Sequence, residues 1–311
     1  MTTDWYVAPR RLAAEIMGGL FDRLRDNNEL SQVLVQTGNF EDALSNVQAQ
    51  FNADRSERNS AILKQLQLAI CATFNEMNSV FANKLTMEFS NVRGNSIVDF
   101  LARFDAIFTL NQDLLFELHY NIELAERRRW NGHHFPGMQT PAGWQNAIDY
   151  LRRNRLEMVW QPTEYFQIER GLQPIFKLHG SVNWKDRDGN DLLVMGANKA
   201  VTIAEKAILT TYANEFARYL QMLDTRLMVI GYGFGDRHIN EIITDAWTVS
   251  KLRMFIVGPR GRATIVGDDR RKIRIRSALE DIQIIGESIR PLSTTFNGDE
   301  LELGRLRRFF E

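Results

Sequence analysis

Hydrophobic and polar positions follow two different patterns, one before and one after about residue 100. In the first part, Leu12, Ile16, Leu20 and Leu24 recur at four-residue spacing, which predicts one apolar helix face. Residues 59–74 predict a second amphipathic helix, and the pattern can continue through residue 81 to residue 89. Nothing in this part of the sequence predicts a strand. The pattern therefore predicts a helical segment over residues 1–100.

After residue 100, short apolar runs end in polar or glycine-rich segments, and most are followed by a helical pattern. Glycines and prolines between residues 129 and 170 predict an irregular loop region. This alternation predicts an α/β fold, with a Rossmann-like, mostly parallel sheet and helices on both faces over residues 101–311. The predicted strands are residues 106–110, 174–178, 192–195, 226–230, 254–257 and 282–285, and the predicted helices are 114–128, 212–223 and 237–249.

Composition and charge narrow the class of protein. Hydrophobic residues make up 44% and charged residues 25%, and the formal net charge is −1, so no global basic field favours nucleic acid as a direct partner. No apolar run approaches the roughly 20 residues of a membrane helix. The first residues lack the features of a signal peptide, and the single cysteine, Cys71, fits a reducing compartment, so we expect a cytoplasmic protein.

The candidate chemistry lies where three predicted strands end. Polar or glycine-rich segments follow there, at residues 109–113, 177–181 and 231–236. In an open parallel sheet, ligands bind beyond the carboxyl ends of the strands. Because all three segments occupy such ends, we expect an Asn, an Asp, a His and several backbone amides around one crevice.

These segments resemble those of the bacterial sirtuin-like family. Residues 109–113 resemble its T-x-N-x-D segment, residues 176–184 its K-L-H-G-S-x-N-W segment, and residues 229–239 its G-Y-S-x-x-D-x-x-I segment. Order and spacing agree over roughly residues 100–260. The resemblance is to the members that hydrolyse NAD in anti-phage defence.

The resemblance implies a catalytic set of Asn111, His179 and Asp113. Asn111 would orient water or the ribose hydroxyls, and His179 would accept a proton, since its unperturbed pKa lies near neutrality. Asp113 would hold the nicotinamide side or Asn111. The residues implied to bind the dinucleotide are Thr109, Gly180, Ser181, Gly231, Tyr232, Gly233 and Asp236.

Simpler structural roles stay open for three of these residues. His179 could be a satisfied histidine at a strand end, Asn111 could be a turn residue, and Asp236 could cap the helix that follows it. The adjacent pair His133 and His134 lacks a third ligand at informative spacing, so we predict no metal site there.

The chain departs from the family pattern in three ways. The first strand and the G-A-G-x-S loop are missing, and residues 7–12 resemble the segment after that loop. A misplaced start, a degenerate site and a phosphate cradle built from other residues all stay open. Gly233 stands where the pattern has Ser. The paired zinc cysteines of the deacetylating members are absent, so we expect no zinc and disfavour deacetylation.

The resulting expectation is an NAD glycohydrolase that releases nicotinamide and ADP-ribose, with NAD as substrate. The resemblance further implies a homo-oligomer and an activating partner such as a HerA-like ATPase or an Argonaute. The alternative is a weakly active or inactive scaffold that binds NAD, ADP-ribose or a partner protein. A protein deacetylase or ADP-ribosyltransferase is the third possibility.

Overall fold

The computed structural model describes residues 18–83, 96–120, 129–140, 159–196, 199–266 and 279–311. Residues 18–23 are helical, and Leu20 and Leu24 are buried, as the apolar stripe predicts; Leu12 and Ile16 lie outside the described residues. Three helices follow, α1 (Asn28–Thr37), α2 (Phe40–Ala53) and α3 (Glu57–Asn83). Asn27 and Asn39 cap α1 and α2 by accepting hydrogen bonds from backbone amides. The described part of the first hundred residues contains no strand, as predicted.

The second region alternates short strands and helices. Its strands are β1 (Ile107–Thr109), β2 (Gly132–His134), β3 (Met138–Gln139), β4 (Gln161–Pro162), β5 (Leu172–Lys177), β6 (Gly180–Lys185), β7 (Asp191–Leu193), β8 (Arg226–Ile230), β9 (Arg253–Val257) and β10 (Gln283–Ser288). Its helices are α4 (Ile97–Leu101), α5 (Leu115–His119), α6 (Lys199–Ala204), α7 (Ala207–Leu220), α8 (Arg237–Ser250), α9 (Ala263–Val266), α10 (Leu292–Thr295) and α11 (Glu300–Arg307), followed by a 3₁₀ turn, Arg308–Phe310.

The strands form two parallel three-stranded sheets, in the orders β1-β5-β2 and β10-β9-β8. Phe108 pairs with Phe176 in the first sheet, and Val229 pairs with Ile256 in the second. Two small antiparallel pairs, β3-β4 and β6-β7, lie outside these sheets. The α/β prediction is therefore confirmed, whereas one continuous Rossmann-like sheet stays a prediction.

β1 and β8 are end strands of their sheets, and both line one cavity of about 650 Å³. Asn111 and Gly231 lie at the cavity's end next to the carboxyl ends of these strands. Phe216 and Tyr219 of α7 complete its apolar wall. This arrangement places the strand-end loops of both sheets on the same side of the molecule.

Several predicted boundaries differ from the observed ones. The region predicted as an irregular loop contains β2, β3 and β4, and β2 adds to β5 as a parallel edge strand. The strand predicted at residues 192–195 is observed as β7, which pairs antiparallel with β6. The helix predicted at residues 114–128 is described only as α5, because residues 121–128 lie outside the described part.

Two hydrophobic cores correspond to the two regions. The first joins α1, α2 and α3 through residues such as Leu30, Leu44 and Leu66, and it also includes Met195. The second fills the space between the strands and helices of the α/β part. The division at residue 100 stays a prediction. None of the described helices is both long and apolar enough to cross a membrane.

Candidate functional site

The last residue of β1 and the loop after it supply three of the predicted site residues. The Thr109 hydroxyl accepts a hydrogen bond from the Asn111 amide at 3.1 Å, which folds the chain back at the strand end. Asp113 Oδ1 accepts from the Leu115 amide at 3.0 Å, so its carboxylate satisfies an amide in the first turn of α5. Asn111 is half-buried between these two anchored residues.

The loop after β5 holds His179, which is 2% exposed. Gly180 follows with φ +72°, and a Cβ at this position would lie 1.8 Å from the carbonyl oxygen of Leu192. Only glycine fits there, because both the dihedral angle and the contact exclude a side chain. Ser181 is fully buried, and its hydroxyl lies 3.3 Å from the Gln112 carbonyl, to which it donates. The packing around His179 therefore accounts for the residue types of Gly180 and Ser181. Contact of these two residues with a dinucleotide stays a proposal.

A buried cation joins these two loops. Lys177 is 1% exposed, and its Nζ donates to the Asp113 carbonyl, to Glu117 Oε1 at 2.7 Å and to Ser181 Oγ at 2.8 Å. The Leu178 amide also donates to the Thr109 carbonyl at 2.9 Å. Asn111, Asp113 and His179 therefore belong to one connected unit.

The loop after β8 is glycine-rich and polar. Gly231 has φ +66°, and its amide donates to the Val257 carbonyl at 2.8 Å. The Tyr232 hydroxyl accepts from the Asp236 amide at 3.1 Å and lies 3.0 Å from Asn240 Oδ1. A Cβ on Gly233 would meet nothing within 4 Å. This loop is closed by hydrogen bonds but leaves open space beside Gly233.

Asp236 stands at the N-cap position of α8, yet its side chain makes no capping hydrogen bond. Its Oδ1 instead accepts from Lys199 Nζ at 2.8 Å, and Lys199 also contacts Glu41 Oε1 at 3.1 Å. The simple capping role is therefore not what the structure shows for Asp236. The ion pair connects α2, α6 and α8 at the site.

His179 meets a second histidine across the two sheets. Its Nε2 lies 3.1 Å from Nε2 of His238, and the ring centroids are 5.2 Å apart. His238 and Lys199 were missed from the sequence. His238 had a weak signal, since it stands two residues after Asp236 in the third segment, whereas Lys199 had none.

Burial and charge set the ionisation of this cluster. Burial lowers the pKa of His179 to about 3, which Lys199 and His238 also favour and Asp236 opposes. Burial likewise lowers the pKa of His238. Burial alone would raise the pKa of Asp236, but the hydrogen bond and charge of Lys199 outweigh it and hold that pKa below its usual range. At neutral pH the site therefore contains two neutral imidazoles beside an ionised carboxylate.

The same three side chains are of types that bind metal ions. One ligand atom from each of His179, Asp236 and His238 lies within 4.8 Å of the others. However, the Lys199 ammonium already occupies Asp236 Oδ1, and a cation next to it would be repelled. The contacts fit a hydrogen-bonded cluster better. His134 lies apart from this cluster, with Nδ1 3.9 Å from Glu169.

Comparison with known proteins places these loops in a family. A family model for the SIR2-like domain matches residues 105–284, which is more than half of the 311 residues. The match includes all three strand-end loops and both histidines of the cluster. No curated protein matches the chain.

Proposed function

The chain belongs to the SIR2-like domain family, and from this premise we propose that it is an NAD glycohydrolase. Members of the family are typically NAD-dependent enzymes, and the match supports a sirtuin-like, NAD-related scaffold. The reaction would release nicotinamide and ADP-ribose. The proposal rests mainly on one observation. Buried Lys177 donates to the Asp113 carbonyl and to Ser181 Oγ, and so joins the loop that carries Asn111 to the loop that carries His179.

The proposed chemistry requires a nucleophile, a base and an oriented sugar. The bond from the anomeric carbon to the nicotinamide nitrogen breaks, and nicotinamide leaves with the bonding electrons. A water oxygen bonds to the same carbon, and the water proton passes to neutral His179. Asn111 orients the water or the ribose hydroxyls without adding a full charge beside the developing positive charge.

The remaining predicted residues differ in how they could contribute to substrate binding. Gly231 and Gly233 are exposed, and the open space beside Gly233 would let a nucleotide approach the backbone closely. The Asp113 and Tyr232 side chains already hold their loops, so we propose that they act by positioning. The absence of a Ser hydroxyl at Gly233 removes one polar contact that the family pattern offers.

Incubation of the purified chain with NAD, followed by chromatography of nicotinamide, tests the proposal. We expect Asn111→Ala and His179→Ala each to lower kcat by about 10²-fold or more, which is the usual contribution of a general base or an oriented water. His134→Ala, which changes a half-buried histidine outside the cluster, is the matched control. Nicotinamide release that is equal in all variants would contradict these roles.

The biological setting is proposed from the resemblance alone. Depletion of NAD during anti-phage defence would require activation, and a homo-oligomer or a partner such as a HerA-like ATPase or an Argonaute would supply it. The assay is therefore repeated with such a partner. No release under either condition would leave the second candidate, a scaffold that binds NAD or ADP-ribose, which calorimetry with ADP-ribose detects directly. The engagement of the Ser181 and Tyr232 hydroxyls within the protein favours weak catalysis, while the exposed backbone at Gly231 and Gly233 still allows a nucleotide to bind, as this candidate requires.

A further inference from the structure

The contact between His179 and His238 restricts which ring nitrogen of His179 carries a hydrogen. Two imidazole nitrogens 3.1 Å apart repel each other if both present lone pairs, so one of the two Nε2 atoms carries a hydrogen and the other accepts it. Because burial keeps His179 neutral, the pair shares this hydrogen without a net charge. Two tautomers of His179 satisfy the contact.

Only one of these tautomers leaves His179 able to act as a base. If Nε2 of His179 accepts from His238, its Nδ1 carries the only hydrogen of that neutral ring and has no lone pair for a substrate proton. If Nε2 donates to His238, Nδ1 is unprotonated and available. A base in this position therefore requires an acceptor, and His238 is the residue at hydrogen-bond distance from its Nε2.

We propose that His238 is a positioning residue for the NAD cleavage proposed above: it accepts the Nε2–H of His179 and thereby leaves Nδ1 of His179 as the base. This inference rests on the proposed function. When His179 takes a proton from water, the water O–H bond breaks and the imidazolium keeps its hydrogen bond to the neutral His238.

The ionisation of His238 agrees with this role. Burial lowers the pKa of His238 and the charge of Lys199 adds to this, while Asp236 and Glu241, one turn along α8, oppose it, so that His238 is a neutral acceptor at pH 7. Asp236 also raises the pKa of His179. Lys199 itself is held between Asp236 and Glu41, so its charge is largely compensated. A carboxylate oxygen of Asp236 lies within 4.8 Å of a ring nitrogen of each histidine, so the ionised Asp236 is a counter-charge for an imidazolium at either one.

Two substitutions separate this role from simple packing. His238→Phe keeps a ring but removes the acceptor, whereas His238→Gln offers an amide oxygen that accepts but does not titrate. We expect the Phe variant to lower kcat by about 10²-fold with KM little changed, and the Gln variant to recover about tenfold of that loss. His134→Phe is the control.

Two kinetic results would contradict the proposed role of His238. A Phe variant with wild-type kcat, or Phe and Gln variants with equal losses, would overturn it, because a packing role predicts no advantage for an acceptor. If the wild-type protein releases no nicotinamide, the proposed function fails, and the contact is then judged by nuclear magnetic resonance.

Imidazole ¹⁵N spectra of the full chain without NAD provide that independent measurement. We expect His179 to be protonated at Nε2 and unprotonated at Nδ1 at neutral pH, with this assignment lost in His238→Phe. The opposite tautomer in the wild-type protein would overturn the proposal. Binding of one equivalent of Zn²⁺ that shifts both histidines would also overturn it, since a shared metal would then replace the shared hydrogen.

Discussion

The β1-β5-β2 sheet and the β10-β9-β8 sheet hold their strand-end loops by different means. In the first, Lys177 and Glu117 form an ion pair whose side chains are 1% and 7% exposed. In the second, Lys199 and Asp236 are 13% and 19% exposed, and the loop leaves room beside Gly233. The first sheet therefore fixes His179 by full burial, whereas the second presents Asp236 at the end of a loop with open space at Gly233, and His238 in the first turn of α8.

The largest effect should come from the buried cation. Lys177→Met removes the ammonium that pairs with the buried Glu117 carboxylate, so we expect the free energy of unfolding to fall by about 3–5 kcal/mol in a urea titration. Lys185→Met breaks a partly exposed pair with Asp191 and should cost about 0–1 kcal/mol. Equal losses in the two variants would remove the contrast between buried and exposed pairs.

A matched pair of glycine substitutions tests the two loops next. Gly180→Ala forces a side chain into the left-handed region and against the Leu192 carbonyl, so we expect a loss of about 2–3 kcal/mol in unfolding free energy. Gly233→Ala has open space and no such dihedral constraint, so its cost should be below about 0.5 kcal/mol. Should Gly233→Ala prove the more damaging change, the second loop is the tighter one.

The burial of His179 also predicts a pH dependence of stability. Burial lowers the pKa of His179 to about 3, so below about pH 6.5 the unfolded chain binds a proton that the folded chain refuses. This contribution to stability is complete above pH 6.5 and is lost as the pH falls towards 3, by at most about 1.4 kcal/mol per pH unit. Urea titrations between pH 7 and pH 4 should therefore show a flatter dependence in His179→Phe. Identical slopes would mean that His179 titrates normally in the folded protein.

The sequence predicted the parts of the site that depend on local pattern. Strands β5 and β8 are short apolar runs bounded by glycine or polar residues, so their ends and the loops with His179 and Gly231 could be located. β2 has no such run, because its Gly-His-His sequence pairs by its backbone at a sheet edge. Its formation depends on β5, which is distant along the chain.

Long-range contacts account for what the sequence did not reveal. Lys199 reaches Glu41 across 158 positions and Asp236 across 37 positions, and no spacing rule links such residues. The buried role of Lys177 was likewise hidden, since a lysine before a strand end usually suggests exposure. The sequence motifs therefore located the loops, while the contacts of each side chain could be identified only from the structure.

The range that matches the family model is shorter than the part of the chain that packs together, as the contacts of Asp236 and Leu114 show. The family match begins at residue 105, yet Glu41 of α2 supports Lys199, and Asn78 of α3 accepts the Leu114 amide hydrogen at 3.0 Å. Met195 packs in the helical core. Excision of the matched range alone would expose these groups, so an autonomous fragment of this protein has to retain the helices that precede it.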